Sequence, residues 1–245
     1  MSTVTRSADN AGRNVFLLHG WGGTFDQTWR RTGWDERLKG AGYSVHGPQL
    51  LGHGVPDGPH DPAAYACIAD LLESELEGVT GAIGIGYSLG AKMFLELSCR
   101  NPRTFSALVL IGLGANTFKP LGASAVLADT LRNGLKPDAP DALRRLIASV
   151  IESGNDPLAM AACISRPQDS PITPDRLKVV TCPVLLLNGS EDHFILPVEP
   201  LIDALPNVSS ELLSGLDHLD LVNDAGVVDE TLSFLARSAA AQVRP

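Results

Sequence analysis

No run of lysine and arginine occurs anywhere in this sequence, and the bases are outnumbered. Nineteen Lys and Arg stand against 28 Asp and Glu, for a formal net charge of −9. Scattered bases without interleaved aromatics, on an acidic chain, repel a phosphate backbone and exclude nucleic acid as an expected partner. Long apolar runs are missing too: none approaches the roughly 20 residues that a membrane helix needs, so no membrane partner is expected. Met1 to Gly12 is polar and lacks the basic-then-apolar pattern of a secretory signal. A cytoplasmic location is therefore the expectation. Cysteine is sparse. Cys67, Cys99, Cys163 and Cys182 lie far apart, with no Cys-x-x-Cys pair and no histidine at metal-ligand spacing. They are expected to be reduced, partly buried thiols, with no metal site.

What is present suits one globular α/β domain over residues 1–245, with 44% hydrophobic residues. A chain of this size buries roughly three-quarters of its unfolded surface, enough for a large core without metal or disulfide. Val15–Leu18, Ala107–Ile111 and Val184–Leu187 are continuous apolar runs, the mark of strands covered on both faces. Tyr43–His46, Ala82–Ile85 and Ser210–Leu213 are weaker strand candidates. Helices fit between them. Asp61-Pro62 supplies an N-cap and a first-turn proline, Ile68, Leu71, Leu72 and Leu76 follow at helical spacing, and Gly78 stops the run. Leu89–Ser98 and Ala225–Ala239 also carry an apolar stripe, the latter through Val228, Leu232 and Leu235. Strand–helix alternation of this kind predicts an open, doubly wound sheet. The stretch at about 114–178 breaks the alternation with short helices near 122–133, 140–153 and 156–163. An insertion this long between strands reads as a small helical cap.

The chemistry concentrates where strands end. Gly86-Tyr87-Ser88-Leu89-Gly90 leaves a strand and opens a helix, a turn so tight that the central residue is strained and its second neighbours must be small. The Ser88 hydroxyl then stands in the crevice beyond the sheet's carboxyl end, at a helix N-terminus that favours developing negative charge. Serine is a weak nucleophile and needs a positioned base. Of the six histidines, only His218 follows the last strand and precedes the closing helix. A carboxylate must orient that base, and Asp192, in the loop after Val184–Leu187, has the right place. Glu191 is its adjacent rival, Asp217 and Asp220 flank the histidine, and His193 reads as a loop residue. His19-Gly20-Trp21-Gly22-Gly23 follows the first strand, so the amides of Trp21 and Leu89 are the expected oxyanion donors. His19 reads as structural.

These motifs, with Leu-Gly-His-Gly (51–54) and Pro197, resemble the α/β-hydrolase superfamily over about residues 13–238. The resemblance implies a mostly parallel central sheet of about eight strands flanked by helices, a cap after the sixth strand, and no cofactor. Length and the His-Gly-Trp-Gly opening are similar to small carboxylesterases, which implies a small-molecule ester as partner, cleaved through an acyl-serine. Trp21, Tyr87, Phe194 and Ile195 are the expected substrate-binding residues. A monomer and a homodimer are equally compatible. A lactonase, carbon–carbon bond hydrolase or acyltransferase would use the same residues, and a ligand-binding member of the fold is a further alternative. Three positions depart from the usual pattern: Gln49 stands where many relatives carry Asp, Asp217 where Gly is usual before the histidine, and Tyr87 where His is more common. Serine at the elbow argues against relatives that use Asp there, such as haloalkane dehalogenases and epoxide hydrolases.

Overall fold

Strands that do not alternate must be covered on both faces, and every connection between successive strands here carries at least one helical segment. The computed structural model describes residues 13–119, 122–167 and 171–242. Its six strands are β1 (Asn14–Leu18), β2 (Ser44–His46), β3 (Ala82–Tyr87), β4 (Phe105–Ile111), β5 (Val184–Gly189) and β6 (Val208–Leu213). They lie in the order β2-β1-β3-β4-β5-β6, and each neighbouring pair is parallel. The expected eight strands are thus six among the described residues, and the sheet is wholly parallel there. Helical crossovers return the chain to the same end each time, so no antiparallel hairpin arises.

Side chains of each inner strand alternate between two apolar layers. Val15 and Leu17, with Val109 and Ile111, join Trp29, Trp34 and Leu38 on one side. Trp34 and Leu38 belong to α1 (Trp34–Gly40), and α9 (Ala225–Gln242) completes that layer through Val227, Val228, Phe234 and Leu235. Leu18, Leu108 and Leu110 face the other side, against α2 (Ile68–Glu75) and α3 (Leu89–Arg100). Burial on both faces is what the unalternating runs encode.

The helix expected from Asp61 is divided. Pro62–Tyr65 is a single 3₁₀ turn, whose Ala63 amide donates to the Asp61 carboxylate, and α2 begins only at Ile68. Tyr65 is fully buried and its hydroxyl donates to the Pro59 carbonyl, which holds the first turn off the α2 axis. Leu71 consequently faces solvent rather than the core.

Four helices lie between β4 and β5: α4 (Ser124–Asn133), α5 (Asp141–Glu152), α6 (Pro157–Ile164) and α7 (Pro174–Leu177). They follow the fourth described strand, not a sixth. Asp156 and Thr173 cap α6 and α7, each ahead of a first-turn proline. The helix after β5 is α8 (Glu199–Ala204).

Chain direction reverses in the strand order between β1 and β3, since β2 lies outside β1 while β3 to β6 proceed the other way. Open parallel sheets bind ligands at that switch point, beyond the carboxyl ends of the strands. The loops leaving β1 and β3 flank it.

Candidate active site

Ser88 sits between the end of β3 and the start of α3 with φ 52°, the one non-glycine residue with positive φ among the described residues. Such a conformation costs on the order of 1–3 kcal/mol and persists only where its surroundings over-determine it. Its neighbours do so. The Ser88 amide donates to the Ile111 carbonyl at 2.8 Å, continuing the β3–β4 ladder through the turn. A Cβ on Gly86 would come within 2.6 Å of the Ala91 backbone, and one on Gly90 would strike the carbonyl oxygens of Leu18 and His19. Both glycines are thus sterically required. Gly20 brings the β1 loop directly against the serine: a Cβ there would lie 3.2 Å from the Ser88 Cβ.

The loops after β5 and β6 run side by side. The Ser190 amide donates to Leu213 and that of Glu191 to the Leu216 carbonyl. This pairing brings Asp192 beneath His218. His218 Nε2 lies 2.9 Å from the Ser88 Oγ, and His218 Nδ1 lies 2.5 Å from Asp192 Oδ2. The Asp192 carboxylate is fully buried, and its other oxygen accepts from the Phe194 amide at 3.0 Å. Its sequence rivals are elsewhere: Glu191 and His193 are exposed. Asp217 and Asp220 face Arg145 of α5, at 2.7 and 2.9 Å. Asp217 also accepts from the amides of Leu219 and Asp220, so the departure from glycine supplies a turn cap and a tie to α5.

Tyr87 lies behind the histidine. Its buried hydroxyl donates to the His218 carbonyl at 2.7 Å and its ring packs 5.1 Å from the imidazole. Burial, then the carboxylates of Asp192, Asp217 and Asp220, push that hydroxyl's pKa well up, so it stays a donor. Tyr87→Phe is expected to cost about 1–2 kcal/mol of stability, because a buried carbonyl loses its partner. Chemical denaturation of the two proteins checks this, and equal midpoints would show that the bond contributes nothing.

The amides of Trp21 and Leu89 flank the Ser88 turn, and neither has a backbone acceptor among the described residues. Leu89 opens α3, where first-turn N–H groups have no intrahelical acceptor. The β1 loop is clamped from above. Asn155 Nδ2 donates to the Gly22 carbonyl at 2.6 Å, its Oδ1 accepts from the Gly54 amide at 2.7 Å, and Trp21 Nε1 donates to Met160 of α6 at 3.1 Å. Gly22, at φ 75°, is packed so closely under Val150 that a Cβ would overlap it.

Two histidines hold this loop from below. His19 Nε2 accepts from the Leu50 amide and Nδ1 donates to the Gly20 carbonyl, which requires a neutral ring. Burial lowers its pKa to about 4. Burial, and then the neighbouring His19, lowers that of His53 to about 3. The unfolded chain takes up these protons near pH 6.5, before the folded protein does. Their contribution is therefore complete above that pH and is lost as pH falls toward 4 for His19 and 3 for His53, by roughly 3–5 kcal/mol per imidazole. Urea unfolding from pH 7 to 4.5 is expected to show this acid loss, and His53→Gln to flatten it. An unchanged slope in that variant would remove His53 from the account. Gln49, the third departure, bridges the same region: it accepts from the Phe25 amide and donates to the His53 carbonyl.

A cavity of ≈ 480 Å³ opens over Ser88. Trp21, Tyr87, Leu89, Phe194 and His218 line it, together with Leu127 of α4, Leu146 and Val150 of α5, and Ile164 at the end of α6. The Phe194 ring meets the imidazole in an edge-on arrangement, with 5.5 Å between ring centres. Ile195 does not line the cavity. It is fully buried beneath, with its carbonyl accepting from Ala115, because consecutive loop residues face opposite ways. Leu196 is exposed. Gly112, Asn155, Lys92 and Arg166 are site residues that sequence reasoning missed. Gly112 directly follows β4, and a Cβ there would lie 2.9 Å from the His218 ring. Among the described residues, no three His, Cys, Asp or Glu side chains converge as a metal site requires, and no helix is long and apolar enough to cross a membrane.

Comparison with solved structures sets this arrangement among known folds. A carboxylesterase from the thaumarchaeon Nitrososphaera gargenis is similar over 93% of this chain and 91% of its own, with 18% identity and a TM-score of 0.72. A 2-hydroxy-6-oxo-6-phenylhexa-2,4-dienoate hydrolase from Rhodococcus sp. strain RHA1 matches over 91% of this chain and 90% of its own, with 18% identity and a TM-score of 0.67. A Bacillus megaterium epoxide hydrolase matches over 92% and 93%, with 14% identity and a TM-score of 0.71. At these identities the likeness concerns the fold alone. No curated protein sequence gives a significant match. The sequence model of the alpha/beta hydrolase family, however, matches residues 15–230, and the chain belongs to that family.

Proposed function

We propose that this protein is a serine hydrolase that cleaves a carboxylic ester of small or medium acyl size through an acyl-serine intermediate. The observation that carries the reading is the hydrogen-bonded series Ser88–His218–Asp192, with 2.9 and 2.5 Å links at the floor of a cavity. In this mechanism His218 Nε2 takes the Ser88 proton as the hydroxyl attacks the ester carbonyl. The Trp21 and Leu89 amides receive the oxyanion, and each such donor is worth about 3–4 kcal/mol in the transition state. Asp192 holds the proton on Nδ1 and stabilises the imidazolium. The imidazolium then protonates the leaving alkoxide. Water enters, His218 takes its proton, and the second tetrahedral intermediate collapses to the acid and free Ser88.

Apolar walls from α4, α5 and α6 support a role for this helical layer as a cap that shields the acyl-serine and limits acyl length. Phe194, Trp21 and Tyr87 are the proposed contacts to substrate, with Tyr87 also positioning His218.

Labelling with a fluorophosphonate probe tests the nucleophile. The native protein is expected to label and Ser88→Ala to stay unlabelled; equal labelling of both would sink the assignment. A series of p-nitrophenyl esters of increasing chain length, run beside lactones, tests the reaction class. Short and medium esters are expected to be preferred, and faster turnover of lactones would reassign the bond.

A further inference from the structure

Lys92 lies one helical turn beyond Ser88 on α3, its amide donating to the Ser88 carbonyl at 3.0 Å. Residues four apart share a helix face, and their Cα atoms differ by about 6 Å along the axis. Lys92 therefore enters the same cavity as the serine, which it lines. Arg166, just beyond α6, lines it too. Neither cation has a carboxylate within ion-pair distance among the described residues. The one polar contact of the Lys92 ammonium is the Asn116 carbonyl at 3.4 Å, and Arg166 donates to the Cys163 carbonyl at 2.9 Å.

A shortage of acids does not explain this, since acids exceed bases by 28 to 19. Glu96, one turn further along α3, is occupied by Arg100 at 2.9 Å and Arg176 at 2.7 Å. Among the described residues, the one acid lining the cavity is Glu152, which is exposed at the end of α5. Two half-buried, like-charged groups with no counter-ion among the described residues are unfavourable in the empty cavity. Burial, and then Arg166, lowers the Lys92 pKa to about 8, which reflects that same tension. An anionic group on the substrate would relieve it.

We propose that the preferred substrate is an ester that also bears an ionised carboxylate, held between Lys92 and Arg166 while the ester carbonyl meets Ser88. The inference rests on the reading of Ser88 as an ester-cleaving nucleophile. Arg166 offers a planar pair of donors and Lys92 a point charge, a set that suits one carboxylate. The cavity's size and its apolar walls then leave room for a short methylene spacer between the two ends. In the net field of an acidic chain, this local pair is what admits an anion.

Kinetics test the selectivity. Mono-p-nitrophenyl esters of dicarboxylic acids, from succinate to suberate, are compared with esters of monoacids of equal length. A second pair places the carboxylate on the alcohol side, as in O-acetylglycolate against ethyl acetate. In the native protein, at least one carboxylate-bearing ester is expected to exceed its neutral counterpart in kcat/KM by about ten- to a hundredfold, the usual worth of charge-assisted hydrogen bonds. The preference should appear mainly in KM. Lys92→Met and Arg166→Leu should each collapse the ratio toward unity, and Lys92→Arg should retain most of it. Absence of any preference in both pairs, or a ratio unmoved by Lys92→Met, would overturn the proposal.

Calorimetry separates this from the ester reading. Ser88→Ala protein should bind a dicarboxylic acid monomethyl ester, and Lys92→Met in that background should weaken binding at least tenfold. Binding with that dependence, in a protein whose native form hydrolyses no ester, would keep the anion site and reject the ester reading. Neutral-ester hydrolysis through Ser88 with no carboxylate preference would do the reverse.

Discussion

Ser88→Ala is expected to lower kcat on a p-nitrophenyl ester by about a million-fold, as loss of an activated serine does elsewhere. The size follows from what the hydroxyl shares. Its oxygen is 2.9 Å from His218 Nε2, so in the proposed mechanism nucleophile and base act as one unit, and removing either abolishes the covalent route. A double variant, Ser88→Ala with His218→Ala, should therefore be no slower than the single one. The residual rate would come from the Trp21 and Leu89 amides and from binding alone. Active-site titration with the fluorophosphonate must accompany the kinetics, so that traces of native enzyme are not mistaken for residual activity. Retention of a tenth of native turnover in Ser88→Ala would end the acyl-serine mechanism. Multiplicative losses in the double variant would mean that His218 works independently of Ser88.

Asp192→Asn is expected to cost about ten-thousand-fold in kcat with the fold intact, the loss that accompanies a wrong imidazole tautomer. The asparagine oxygen can still accept from the Phe194 amide, as Asp192 Oδ1 does at 3.0 Å. Its NH₂ would then face His218 Nδ1 and require a lone pair there, which moves the proton to Nε2. A protonated Nε2 cannot accept from Ser88. Glu191 cannot take over, because it is exposed on the adjacent turn. Far-UV circular dichroism and the denaturation midpoint should show a folded protein, and fluorophosphonate labelling should slow in parallel with kcat. An asparagine variant with near-native turnover would show that Asp192 does not orient the base.

Much of the architecture was readable because parallel strands announce themselves. Val15–Leu18, Ala107–Ile111 and Val184–Leu187 are apolar at consecutive positions, and only burial on both faces supports such runs. The solvent-edge strand β6 is legible only over Ser210–Leu213, because its serines and glutamate carry little strand propensity. The failures are local. Tyr65 pulls the first turn of the Asp61–Gly78 segment off the helix axis, and helical spacing cannot register a ring that packs against Pro59 and Gly52. Ile195, apolar and three residues after Asp192, is expected at the cavity but lies buried beneath it. Which of three consecutive loop residues faces a cavity depends on backbone torsions that composition does not encode.

The elbow is the clearest local case. Small residues at 86 and 90 and a serine between them dictate a strained turn, because only glycine leaves room for the Ala91 backbone and for the Leu18 and His19 carbonyls. That constraint is short-range, and so is visible in five letters. The company Ser88 keeps is not. Asp192 reaches His218, rather than Glu191 doing so, because the loops after β5 and β6 are zipped together by backbone bonds to Leu213 and Leu216. Asn155 clamps the loop after β1 from 133 residues away, and no spacing rule links it to Gly22. Lys92 and Arg166 meet at one cavity only because the α4–α7 layer folds back over α3. Residue identity determined which groups could react; the sheet's switch point and the helices above it decided which of them face the same molecule. The reason is one of range. Local sterics act between neighbours in sequence, whereas the register of a parallel sheet is set by packing across its whole width.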